Sequence, residues 1–276
     1  MDFGRVDDPE GVDLSLPRED PRGLPPGRGG LRVHVGAPLF AARSWDGALY
    51  PRGTRPADRL GVYARTFDSL ELNATFYAVP SIDQAHRWAE ATPEGFTFCP
   101  KVPRTITHGD PAQIRAFAEV AMAFGPRLGA ALAQLPPSVG PDDHAALWAH
   151  LDRLPRDLPL AVELRHPGWF WRGALIGRAR EALSSRGWLA VITDTAGRRD
   201  VCHATVTAPA TLIRLVTHGG HPTDAARLAA WAARLAAWGR QGLERAWVFV
   251  HQPDERGLLD ATIAARDALS AVDRLP

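Results

Sequence analysis

Eight short apolar or β-branched runs, separated by longer stretches with apolar residues at helical spacing, constrain this chain more than any other feature. The runs cover 31–36, 69–73, 96–101, 128–134, 160–165, 188–194, 212–218 and 246–252. Helical stretches fall at 55–66, 81–91, 111–124, 141–154, 173–186, 223–239 and 259–272. Strands that each lead into a helix predict crossover connections and a parallel sheet. Eight such units match the size of a (βα)8 TIM-type barrel, an α/β fold, with an open doubly wound sheet as the alternative. Ser81, Asp110 and Thr223 are the predicted N-caps, and Gly187 and Gly239 stand just past helix ends. Residues 195–211 hold too many Gly, Pro and Thr for a helix, so the sixth crossover is predicted to be irregular. Residues 1–30 mix charge with proline and glycine and show no apolar period. They read as a flexible, poorly packed tail, which leaves 31–276 as one barrel domain.

In a barrel strand, alternate residues face the interior and the helix layer, and the C-terminal strand ends carry the active site. Along 160–165 the large apolar residues take one parity, while Ala161, Glu163 and Arg165 take the other. The same split sets Phe96 and Phe98 against Thr97, Cys99 and Lys101, and Leu70 and Leu72 against Glu71 and Asn73. Gln134, Asp194, Arg214, His218 and His251 end further strands, which predicts a polar ring where a purely structural barrel would place aliphatic side chains.

Two of these positions are singled out by composition. Of the 32 basic residues all but Lys101 are arginine, and Asn73 is the sole asparagine. A GC-rich coding bias would drain both residue types except where their own chemistry is needed. A compact ammonium can donate a proton, hold an oxyanion or attack a carbonyl, none of which arginine does equally well. Lys101 is therefore the leading catalytic candidate, with Glu71 and Glu163 as acid, base or lysine partner; the bland alternative for each is a structural ion pair.

The balance of 32 basic and 31 acidic residues gives no bulk signal for nucleic acid or an anionic membrane. No apolar stretch is long enough to span a bilayer, and the first residues lack the pattern of a secretory signal. Cys99 and Cys202 have no metal-ligand spacing and suit a reducing compartment, so a cytoplasmic location is expected. No Walker A loop, Rossmann glycine fingerprint, HExxH helix or nucleophile elbow is present. Glu163, Asp194, His218 and His251 could make a nitrogen and oxygen metal site. The neighbouring Arg165 and Arg214 oppose a cation and suit an anion, so neither metal nor cofactor is expected. His221 reads as a surface residue. The aromatic run Trp169-Phe170-Trp171 could stack on a sugar or base, or simply cover the core.

Several ordered segments carry a resemblance. Glu71-Leu72-Asn73-Ala74-Thr75-Phe76-Tyr77-Ala78-Val79-Pro80, Lys101-Val102-Pro103 with Ile106-Thr107-His108, Gln134-Leu135-Pro136-Pro137-Ser138 and Val162-Glu163-Leu164-Arg165-His166-Pro167 are similar to motifs of the YecE-like family, a group catalogued as a domain of unknown function. The resemblance runs from about Leu31 to Asp254 and implies a (βα)8 barrel with no established activity. It departs at Gly36-Ala37-Pro38-Leu39, at Val216-Thr217-His218-Gly219 and, most, at Val250-His251-Gln252-Pro253-Asp254.

The expectation is thus a barrel enzyme, a hydrolase, isomerase or lyase, acting on a small anionic or sugar-like ligand through Lys101, Glu71 and Glu163. Asn73, Tyr77, His108, Gln134, Arg165, Asp194, Arg214, His218 and His251 would bind the ligand. The alternatives are a metal-assisted phosphodiesterase or nucleic-acid repair nuclease, with nucleic acid the less favoured partner, and a non-catalytic ligand-binding protein. No membrane partner is expected.

Overall fold

The computed structural model describes residue 4 and residues 6–20, 22–28, 30–252 and 254–272. Among the described residues the parallel strands are β1 (Arg32–Ala37), β2 (Ser69–Leu72), β3 (Thr97–Pro100), β4 (Ala131–Gln134), β5 (Leu160–Glu163), β6 (Leu189–Asp194), β7 (Ala210–Val216) and β8 (Arg245–His251), and a short antiparallel hairpin pairs Phe170–Trp171 with Ala174–Leu175. The helices are α1 (Arg59–Tyr63), α2 (Ile82–Glu90), α3 (Ile114–Met122), α4 (His144–Leu151), α5 (Gly177–Ser184), α6 (Pro222–Arg240) and α7 (Glu255–Leu269), with single turns at Ala74–Tyr77 and Arg104–Thr107. This is the (βα)8 TIM-type class, and all eight predicted runs form strands. The contacts gather into two compact units, Pro38–His166 and Met1–Ala37 with Pro167–Pro276.

In the unit Pro38–His166, β2 pairs in parallel with β3, and β4 with β5. Bridges from Phe98 to Leu128 and from Lys101 to Leu132 join β3 to β4. Side-chain alternation then sorts the two faces. Phe98 stacks on Phe124, beyond the end of α3, with ring centroids 4.6 Å apart, so the apolar parity faces the helices. Glu71 lies opposite Cys99 and Gln134 opposite Glu163 on the other parity.

The second unit orders its strands β1, β8, β7, β6, again all parallel. Its sixth crossover has only 3-10 turns over Ala196–Val201, as the composition predicts. The extended chain that follows is held along β6 by side chains. Thr207 donates to the Trp188 carbonyl at 2.7 Å and accepts from the Ala190 amide at 2.8 Å. His203 is 1 % exposed; its Nδ1 accepts from the Thr205 amide, which leaves the proton on Nε2 for the Val191 carbonyl at 3.1 Å.

The N-terminal segment differs from expectation. Where a helix would cover the sixth unit, the carbonyl of Gly4 accepts from the Gly197 amide and the Thr195 hydroxyl, and Ser15 and Pro17 carbonyls accept from Arg199 and Arg234. Asp20 is buried and accepts from both Thr205 and Arg22. Burial opposes its charge, but the hydrogen bonds from Arg22 and Thr205 prevail and hold the carboxyl below its ordinary value. A segment with no apolar period is thus packed through its carbonyls and the carboxylates of Asp20 and Glu19, the latter 3.6 Å from Arg234, a route that hydrophobic patterning does not reveal.

Two caps also shift. Ser81 caps α2 as predicted, accepting from the Gln84 amide. Thr223 does not cap α6: Pro222 begins the helix, and His221 before it accepts from the Thr223 amide. Asp110 accepts from the Ala112 amide in a turn ahead of α3, which starts at Ile114.

Burial pushes the His203 ring down to about 4, far below its ordinary value near 6.5. The unfolded chain therefore takes up a proton that the folded one refuses, and stability is expected to fall as pH drops from about 6.5 to about 4, by roughly 3 kcal/mol. Urea unfolding across this range checks it, with His203→Gln expected to flatten its share of the slope.

Candidate functional site

Within Pro38–His166, five polar side chains rise from one parity of four adjacent strands. Glu71 and Glu163 are fully buried, Lys101 is 1 % exposed, and Arg165 and Gln134 are nearly as enclosed. The Arg165 guanidinium donates through Nε to Glu163 at 3.0 Å and through Nη2 to Gln134 Oε1 at 2.9 Å. Gln134 is thereby fixed by the same fork that balances Glu163. Two carboxylates and two cations share the face, so the buried set is formally neutral, the condition under which buried charges are tolerated.

Lys101 follows β3, where its amide donates to the Leu72 carbonyl of β2 at 3.2 Å. The single turn Ala74–Tyr77 is pinned to both strands by Thr75, whose hydroxyl lies 2.8 Å from the Leu72 carbonyl and 2.6 Å from that of Lys101. That turn brings the Phe76 ring to 4.4 Å from the Lys101 ammonium, a cation–π contact on one side of the amine. Asn73, just past β2, donates to the Pro38 carbonyl at 3.2 Å. Its buried Oδ1 has no hydrogen-bond partner among the described residues.

Other candidates of this unit stay apart from that face. Tyr77 is 82 % exposed and meets Phe76 edge-on. His108 is exposed and closes the turn Arg104–Thr107, its Nδ1 2.8 Å from the Arg104 carbonyl.

In the other unit, Arg214 is buried on β7 and shares its parity with Thr193 and Phe249 across the sheet. His251 ends β8 on the same parity as Phe249, half-buried. Asp194 takes the opposite parity, toward α6. There Arg227 pairs with it at 2.9 Å, Trp231 Nε1 donates at 2.8 Å, and Arg199 closes the remaining side. Burial alone would raise its pKa, but Arg227 and Arg199 outweigh that and hold it below the usual carboxylate range. This correction removes Asp194 from the polar ring: its oxygens are consumed inside the helix layer. His218 lies in the loop after β7, where the Asp224 carboxylate accepts from its backbone amide at 2.9 Å. Burial, then Arg227, keep its ring below the ordinary imidazole value. Among the described residues no group of three or more His, Cys, Asp or Glu is placed to hold a metal ion.

A family model described as "Protein of unknown function DUF72" matches residues 34–273. This chain belongs to the DUF72 family. It is 34% identical over 175 residues to UPF0759 protein YecE of Escherichia coli K12, a match covering 59% of each chain. To UPF0759 protein YunF of Bacillus subtilis 168 it is 24% identical over 159 residues, 53% of this chain and 56% of that one. The matched region thus spans less than two thirds of either curated relative. Its fold is that of solved DUF72 proteins: TM1631 of Thermotoga maritima MSB8 (TM-score 0.70, 22% identity, 86% of this chain and 99% of that one) and EF0366 of Enterococcus faecalis V583 (TM-score 0.69, 18%, 87% and 96%).

Sequence reasoning within this DUF72 chain missed Thr75 and Phe76 as the groups that seat Lys101, and Arg227 and Trp231 as the partners of Asp194. The second pair carried a weak signal: Arg227 and Trp231 are four residues apart, on one face of a helix otherwise rich in alanine.

Asp194→Ala strands Arg227, which is buried, and is expected to cost about 3–5 kcal/mol. Because the folded pKa is lowered, the wild-type contribution is full above the unfolded carboxylate value and is lost as pH falls through the folded one. Denaturant midpoints at neutral pH and in acid check both statements.

Proposed function

We propose that this DUF72 protein is an enzyme that acts on a small anionic or sugar-like substrate by acid–base chemistry. Lys101 moves the proton, Glu71 and Glu163 serve as its acid and base partners, and Arg165 with Gln134 holds an anionic or hydroxyl group. The observation that supports this most is the burial of Glu71, Lys101, Glu163 and Arg165 on one strand face of the same unit. Such a face is more cheaply filled by aliphatic side chains, and a buried ionic set adds little stability over an apolar one. Asn73 adds a specific detail. Its buried, unpartnered Oδ1 is an acceptor suited to a substrate hydroxyl, and desolvating it without a ligand is unfavourable.

The chemistry divides naturally. An ammonium held against an aromatic ring, on a strand face that also carries two buried carboxylates, can donate a proton to a leaving or developing oxyanion and recover it from a carboxylate. A permanently charged guanidinium in the same place keeps the charge but loses the proton transfer. A carbonyl substrate would allow a Schiff base on Lys101 instead, with water as the leaving group, and borohydride would then trap substrate on that lysine.

The test compares wild type and Lys101→Arg in a small-metabolite extract followed by mass spectrometry. The wild type is expected to consume at least one anionic or sugar-like species, with Lys101→Arg slower by about 10²–10⁴-fold while its circular dichroism and melting are retained. Equal turnover by the two proteins would overturn the role of Lys101.

A further inference from the structure

The hairpin that follows β5 presents one tryptophan to solvent on a rigid mount. Trp169, Phe170 and Trp171 are consecutive, but their fates differ. Trp169 is fully buried, Phe170 stacks on the His203 ring at 5.4 Å, and Trp171 is 69 % exposed. Among the described residues of its unit, Trp171 is the only exposed large hydrophobic side chain. A single ring is far too little for a protein interface, which needs a contiguous patch. It is sufficient for one face of a small ring-shaped ligand.

The mount is fixed from several sides. Phe170 and Trp171 pair antiparallel with Leu175 and Ala174. The Gly173 carbonyl accepts from the Ala204 amide at 2.9 Å, and the Leu175 amide donates to Thr205 Oγ1 at 2.9 Å. Thr205 in turn donates to the buried Asp20. Pro17 stands where a Cβ on Gly173 would lie, within 2.6 Å, so only glycine fits there.

The turn itself carries the strongest signal. Its two central residues, Arg172 and Gly173, have φ of +50° and +75°, the left-handed pair of a two-residue hairpin turn. Such turns favour Asn or Asp before the glycine, because any Cβ is strained in that region and their short polar side chains offset the strain by local hydrogen bonds, which arginine does not. Arg172 is the sole non-glycine residue with positive φ among the described residues. Its guanidinium lies 5.5 Å from the Trp171 ring centre. Strain retained at an exposed position points to a use for the side chain.

We propose that Trp171 and Arg172 form a recognition site for a phosphorylated sugar, whose ring stacks on the free face of the indole while the guanidinium fork takes the phosphate. The site goes beyond the acid–base reading and stands on the unit Met1–Ala37 with Pro167–Pro276 alone. No bond is made or broken in it.

The experiment uses the full chain labelled with 5-fluorotryptophan, with the Trp171 fluorine resonance assigned from Trp171→Phe. Glucose 6-phosphate, glucose and inorganic phosphate are titrated separately through the millimolar range. The expected result is a saturable shift of the Trp171 resonance with glucose 6-phosphate, about tenfold weaker with either fragment. Arg172→Asn is expected to lose about tenfold in affinity while melting at the same or a higher temperature, since the turn relaxes. No shift with glucose 6-phosphate, equal binding of glucose, or an unchanged affinity in Arg172→Asn would each overturn the proposal. Lys101→Arg is expected to titrate like wild type, so loss of the catalytic reading and loss of this site are separate results.

Discussion

Side-chain alternation along parallel strands is the constraint on which the rest depends. Once Leu70, Leu72, Phe98, Val162 and Leu164 are committed to the helix layer, every second residue must face the other way. In the unit Pro38–His166 that other way holds Glu71, Lys101, Gln134 and Glu163, with Arg165 continuing the parity past β5. Helix packing therefore forces charged groups into a buried setting, where they persist only as a balanced, hydrogen-bonded set.

The same rule read in the second unit gives a different outcome. Asp194 sits on the helix-facing parity of β6, and its burial there is made tolerable by Arg227, Arg199 and Trp231. Arg199 also donates to the Ser15 carbonyl, so the carboxylate at the end of β6 is tied to the N-terminal segment. Together with Asp20 and Thr205, this makes the segment part of the covering of the helix-poor sixth crossover. A polar strap takes the place of an apolar helix, with the Thr205–Asp20 hydrogen bond as its buried anchor.

The strands and most helices were legible because period and length are local properties. Alternation puts Glu71 and Cys99 on one parity, and the register sets them opposite each other; Asp194 ends its strand on the parity of Ile192, toward the helix layer, which its place at a strand end alone does not reveal. Tyr77 and His108 came from a resemblance in sequence, which carries no direction for a side chain; both are exposed. The packing of the described residues ahead of β1 was not legible because it rests mostly on backbone carbonyls, which have no residue signature. Trp171 and Trp169 are indistinguishable by type, yet Trp169 in the 3-10 turn Pro167–Trp169 is buried and Trp171 beside the Arg172–Gly173 turn is exposed.

On the proposed function, the buried charges of the Pro38–His166 unit are kept for chemistry and add little to stability. The most direct measurement is the melting temperature of a quadruple variant, Glu71→Leu, Lys101→Met, Glu163→Leu and Arg165→Met, which removes two acids and two bases together. A balanced ionic set replaced by apolar groups of similar size should leave the protein as stable or more so. An unchanged or raised melting temperature, with cooperative unfolding, is the predicted result; a markedly lowered one would show that these charges hold the fold together and would contradict the account.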